Sequence, residues 1–230
     1  MMYTISKNLK LTSIILMVTG FIGLTYGFLA APSNYEEAKK MYPEYGNSTN
    51  EVVKVSESSN DKLYIAQHDE NHKEHLLHKL QNRPWAALYV AALFFFFISL
   101  GTIAFYAIQR ASQSGWSPVL YRVMEGITAY LLPGGIVVFV ILLLSCLHFN
   151  HLFIWMDADV VAEDKIIRDK IGYLNIPFFL ARALFFIFGW ALYRYFSRKF
   201  SLAQDKANDI VNHKRNFKIS AAFLVFYIVT

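Results

Sequence analysis

What most constrains this chain of 230 residues is a series of long stretches without a single charge. Residues 11–31 carry none, and at about 1.5 Å per residue a helix over that stretch is roughly 31 Å long, the thickness of a bilayer's hydrocarbon core. Lys7 and Lys10 precede it. A cleaved signal peptide would begin in the same way, but the run is longer than a signal core, and Leu29, Ala30, Ala31, Pro32 lack a small-x-small cleavage pattern, so residues 1–31 read as an uncleaved N-terminal transmembrane helix.

Further spans follow at about 84–109, 117–148 and 177–196. The second is uncharged, with Pro84 in its first turn, where a missing amide is harmless. The third carries Arg122 and Glu125 in its opening turns. The fourth holds Arg182 in its second turn and ends on Tyr193, Arg194 and Tyr195, the pattern of an interfacial belt. The last apolar stretch, 219–230, is too short to cross and reads as a truncated fifth span, so the chain is expected to be the N-terminal part of a longer protein. The expected fold class is an all-α, multi-pass helical membrane bundle. Its parts are 1–31, a polar insert at 32–83, and a membrane bundle at 84–230.

Composition agrees. Charged residues make up 17% of the chain, against roughly 25% in soluble domains. The 22 Lys and Arg exceed the 17 Asp and Glu, but they lie between the apolar blocks and form no nucleic-acid-binding stripe. The single cysteine, Cys146, excludes an internal disulfide, a four-thiolate iron–sulfur site and a C-x-x-C-H haem attachment.

Charge also orients the chain. The side holding the N-terminus collects Lys7, Lys10, Arg110, Arg194, Arg198, Lys199, Lys206, Lys214, Arg215 and Lys218, opposed by Asp205 and Asp209. The short loop opposite has only Lys165, Arg168 and Lys170. The positive-inside rule makes the N-terminus cytoplasmic, with 32–83 and 149–175 periplasmic or exterior.

In the insert, His68, His72, His75 and His78 fall at helical spacing and would share one face. Without an accompanying carboxylate or thiolate motif they read as the polar side of an amphipathic approach to the second span, so no metal is assigned. In 149–175, a helix at about 157–171 would lie on the membrane surface, capped by Asp157 or Asp159 and anchored by Phe153 and Trp155.

Ionisable side chains within spans are costly and are functional candidates by default. Arg122 and Glu125 share a face and, with Thr128 and Tyr130, could line a cytoplasmic proton path. They could equally form a local ion pair. Pro133, Gly134 and Gly135 lie near mid-span, where they can bend a helix or admit a neighbour. On the opposite side His148, His151, Asp157 and Arg182 are the candidates for a quinone site, since a histidine and a carboxylate can take protons from a quinol. The histidines also suit an ordinary helix terminus.

The strings QNRPWAALYVAALFFFFISLGTIAFYAIQ, GWSPVLYRVMEGITAYLLPGG, HLFIWMDADVVAEDKIIRDKIGYLNIPFF and YFSRKFSLAQDKA resemble the second large membrane subunit of bacterial alternative complex III, a quinol:cytochrome c or oxidase oxidoreductase of the Bacteroidota type. The resemblance covers the first span and nearly everything after Gln81, and the 32–83 insert departs from it. It implies about ten helices in two bundles, related to polysulfide-reductase membrane subunits, of which this chain supplies the first half. It further implies an inner-membrane subunit without a covalent cofactor of its own, acting within an enzyme complex. Menaquinone or menaquinol would be the possible small ligand. Haem c and iron–sulfur clusters would sit on partners: a multihaem c-type cytochrome, an iron–sulfur protein, a paralogous quinol-binding subunit and a terminal oxidase. The family fixes no catalytic residue here. A purely structural scaffold, or an independent secondary transporter suggested by the mid-span Pro and Gly break, remain the alternatives.

Overall fold

A computed structural model of the chain describes residues 6–41, 77–156, 161 and 165–230. Among these residues the regular structure is entirely helical. The helices are α1 (Lys7–Leu29), α2 (Tyr35–Met41), α3 (Arg83–Ala111), α4 (Tyr121–Ile127), α5 (Leu131–Cys146), α6 (Lys165–Arg168), α7 (Ile176–Gln204) and α8 (Val211–Val229). Short 3-10 turns at Ser117–Leu120 and Thr128–Tyr130 join α4 and α5 into one rod. Among the described residues four segments are long and apolar enough to cross a membrane: α1, α3, the Ser117–Cys146 rod and α7. The chain is therefore an all-α, multi-pass membrane protein.

The chain divides into two compact units. The first comprises residues 1–88 with 150–152. Here Ser6 caps α1 by accepting the Leu9 amide through its side chain, and Phe28 meets Trp85 edge to face at 4.9 Å. No residue of α1 is buried. An apolar helix with no buried residue is stable only where the solvent is itself apolar, as in lipid.

The second unit comprises residues 89–149 and 153–230. Its buried face on the central rod runs through Tyr121, Met124, Glu125, Thr128, Leu131, Gly134, Gly135, Val138 and Ile141. Pro133 explains the break in the rod: it has no amide to offer the carbonyl of Ala129, and its ring crowds that turn, so the backbone tightens over Thr128–Tyr130. Gly135 admits its neighbours. A Cβ there would stand 2.9 Å from Ile187 and 3.3 Å from Phe96, so α7 and α3 approach the rod at this point.

α7 and α8 are held together by polar and aromatic contacts. Tyr193 pairs with Ser220 at 2.8 Å, and Ser197 donates to Asn216 Oδ1 at 2.7 Å. The Tyr193 ring stacks on Phe223 at 3.9 Å. Such interhelical hydrogen bonds are a normal means of joining helices where there is no water to compete.

Several boundaries differ from expectation. α7 continues to Gln204 rather than ending near 196, and α8 begins at Val211, so the 219–230 stretch is the latter part of a 19-residue helix. The reason lies in Tyr193. Read as part of an interfacial belt, it is instead 6% exposed and occupied by α8, while Tyr195 faces outward. Of the surface helix expected at 157–171, the described residues show helix at Val161 and Lys165–Arg168, followed by turns.

Candidate functional site

Four residues from two elements create the site in the second unit, three of them buried and Arg122 at the exposed edge. Tyr106 and Arg110 lie one turn apart near the end of α3, and Arg122 and Glu125 lie one turn apart on α4. Glu125 is 7% exposed. Its Oε1 accepts from the Tyr106 hydroxyl at 3.2 Å and its Oε2 from Arg122 Nη1 at 2.6 Å. The other guanidinium nitrogen of Arg122 reaches Asp205, just past the end of α7. A carboxylate with both oxygens engaged is desolvated at far lower cost than a bare one.

Arg110 extends the network. Its Nε donates to the Tyr106 hydroxyl at 3.1 Å and its Nη2 to Ser201 Oγ on α7 at 3.1 Å. The guanidinium lies 3.8 Å from the centroid of the Tyr121 ring, a cation–π contact made at 7% exposure. Ser117 donates to the Tyr121 hydroxyl at 2.8 Å and so fixes that ring. The order Asp205, Arg122, Glu125, Tyr106, Arg110, Ser201 thus joins α3, α4 and α7 by side chains alone.

Two cavities flank this network. One of about 310 Å³ opens at the Arg110 end, lined by Arg110, Tyr121, Arg122, Ser201, Asp205 and His213. The other, about 10 Å³, lies on the inner side, lined by Tyr106, Glu125, Thr128, Tyr193, Arg194 and Ser197. The carboxylate therefore stands one arginine away from an open polar mouth and directly beside a small cleft. That is a geometry in which a group can exchange protons with one side while water is kept from the bilayer core.

Of the expected proton-path residues, Arg122, Glu125 and Thr128 belong to this cluster. Thr128 donates to the Glu125 carbonyl at 3.0 Å. Tyr130 does not belong to it. Its ring lies by Gly134 and packs edge-on to Phe95 at 6.3 Å, because the 3-10 turn carries it off the buried face. Tyr106, Arg110, Ser201 and Asp205 complete the site without having been singled out, although the i, i+4 pairing of Tyr106 and Arg110 on an otherwise apolar helix was a readable signal.

The expected opposite-side candidates have separate surroundings. His148 is exposed and takes a left-handed conformation, φ 59°, where α5 ends, which is a terminating role. His151 belongs to the first unit, where its ring stands 4.2 Å from that of His78 and its amide donates to Asn82 Oδ1 at 2.9 Å. Arg182 lies on α7 in an aromatic nest, 3.9 Å from the Tyr173 centroid and 5.4 Å from that of Phe178, with a buried Nη1 that has no hydrogen-bond partner. Asp157, His68, His72 and His75 fall outside the described residues. Compared with known protein families and with curated proteins, the chain matches none significantly.

Proposed function

We propose that this chain is a membrane subunit of a respiratory quinol oxidoreductase of the alternative complex III kind, in which Glu125 serves a proton path opening to the cytoplasm. The observation that carries the reading is the placement of Glu125: a carboxylate buried within a span, bonded from two helices, and separated by one arginine from an open polar mouth. The resemblance of the quoted strings supplies the enzyme class, and the inner bacterial membrane and partner subunits bearing haem c and iron–sulfur clusters come with it, while the Lys and Arg distribution supplies the cytoplasmic N-terminus. Under the same reading Arg182 fits a menaquinone head group, since a quinone carbonyl would satisfy the unpartnered Nη1 and the Tyr173 and Phe178 rings would border the quinone plane. A bound quinone would supply the two-electron redox chemistry.

The test has two parts. Protein tagged and purified from its native membrane should carry c-type haem absorbance from co-purifying subunits, and a preparation free of haem would overturn the assignment. In that assembly Glu125→Gln should lower proton translocation per electron while subunit composition is unchanged. Unaltered translocation would return Glu125 to a structural role. A scaffold function is the second reading, favoured by the closed pairing of Glu125 with Arg122 and Tyr106, which fastens α3 to the rod whether or not protons move.

A further inference from the structure

The inner cavity beside Glu125 has the size of one water and a buried donor in its lining. Arg194, on α7, contributes to its wall, and the Nε of that side chain is buried with no hydrogen-bond partner. A buried charged donor left unsatisfied is costly, and such groups in native structures ordinarily have an acceptor. Around the same space Arg198 adds a second guanidinium, while the Ser197, Thr128 and Glu125 oxygens are acceptors with capacity to spare. The Ser197 hydroxyl spends its proton on Asn216 Oδ1 and that of Thr128 spends its proton on the Glu125 carbonyl, leaving lone pairs on both oxygens. Each Glu125 carboxylate oxygen accepts one bond and can accept another.

We infer that this cavity is a binding site for a single internal water, which accepts a hydrogen bond from Arg194 Nε and donates to the Glu125 carboxylate and a neighbouring hydroxyl. The volume of about 10 Å³ matches one water centre, and the two to four partners that a buried water needs are present. A cation is disfavoured by the two guanidinium side chains in the wall, Arg194 and Arg198. A larger ligand does not fit. Arg194 is thereby a positioning residue for Glu125: it acts on the carboxylate through the water and from the side opposite Arg122. The water site stands on geometry alone, and its bearing on proton movement rests on the reading of Glu125 given above.

The site is tested on the intact protein with ¹⁵N-labelled arginine. The Nε–H of Arg194, assigned by its loss in Arg194→Lys, is expected to show a magnetisation-transfer cross-peak to a long-lived water. A density map that resolves ordered solvent is expected to place one peak within about 3.2 Å of that nitrogen and of the carboxylate. No cross-peak together with an empty cavity, or a protein acceptor found on Nε, overturns the inference. Proton translocation separates the two proposals. Water present with translocation unchanged in Glu125→Gln keeps the site and removes the proton path. Translocation lost in Glu125→Gln with no water at Arg194 does the reverse. Where both hold, Arg194→Lys should also lower translocation, by less than Glu125→Gln, and a full rate in that variant would leave the water without a part in the path.

Discussion

Tyr106 and Glu125, 19 residues apart, meet through a 3.2 Å hydrogen bond inside the bundle, and the same phenolic oxygen accepts from Arg110. Tyr106→Phe removes a donor and an acceptor together and leaves two charged groups short of a partner. The expected cost is about 1–3 kcal/mol, measured by reversible unfolding in detergent. Because the residues share one network, combining it with Glu125→Gln should destabilise by less than the sum of the single changes. Full additivity would mean that the contact is not energetically coupled.

Gly189 and Gly101 make a matched pair. A Cβ on Gly189 would fall on the Phe226 ring, whereas one on Gly101 meets nothing within 4 Å. Gly189→Ala is expected to loosen α7 from α8 at a cost of about 1–3 kcal/mol. Gly101→Ala should be neutral or stabilising by up to about 1 kcal/mol, because only backbone entropy changes. Thermal denaturation of both variants checks the contrast, and Phe226→Leu should rescue the first.

The Tyr193–Ser220 bond is expected to contribute roughly 0.6–2 kcal/mol in a bilayer. A double-mutant cycle of Tyr193→Phe with Ser220→Ala reads it directly. A coupling energy near zero would leave the α7–α8 contact to the Ser197–Asn216 bond and to aromatic packing around Phe223 and Phe226.

Outside the membrane, Glu37 receives the Ser33 amide at 3.1 Å and the Ser33 hydroxyl at 3.0 Å. The backbone bond from Ser33, then its side-chain bond, hold the carboxyl below its ordinary value of 4.5. A group whose folded value is depressed contributes stability that is complete above its unfolded value and is lost as pH falls through the folded one. α2 should therefore stay closed at neutral pH and loosen progressively below about pH 4.5. Amide exchange across Tyr35–Met41 measures this, and Ser33→Ala should bring the folded value closer to 4.5 and so reduce the pH-dependent part of the protection.

The membrane spans were legible because their signal is length and apolarity, which no tertiary contact alters. Arg122, Glu125 and Thr128 were legible for a related reason: a charge inside an apolar run stands out, and spacing of three puts the first pair on one face. Tyr106 was hidden, since a tyrosine in a span reads as apolar bulk until a carboxylate is found opposite. Asp205 counted as a loop acid because α7 was expected to end earlier, and the belt formed by Tyr193 to Tyr195 dissolved once Tyr193 had a neighbouring helix to bury against. Arg182 was legible as a charge within an apolar helix, but the Tyr173 and Phe178 rings beside it depended on loop geometry that spacing does not encode.

The tightened turn at Thr128–Tyr130 has an angular consequence. From Glu125 to Gly135 a regular α-helix advances ten steps of about 100°, leaving the two residues roughly 80° apart in azimuth. Three steps at about 120° add roughly 60° and bring them to within about 20° of each other. The proline thus works as a phase corrector. It sets a charged pair and a close-contact glycine in one meridian of the rod, so that a single neighbouring wall can serve both.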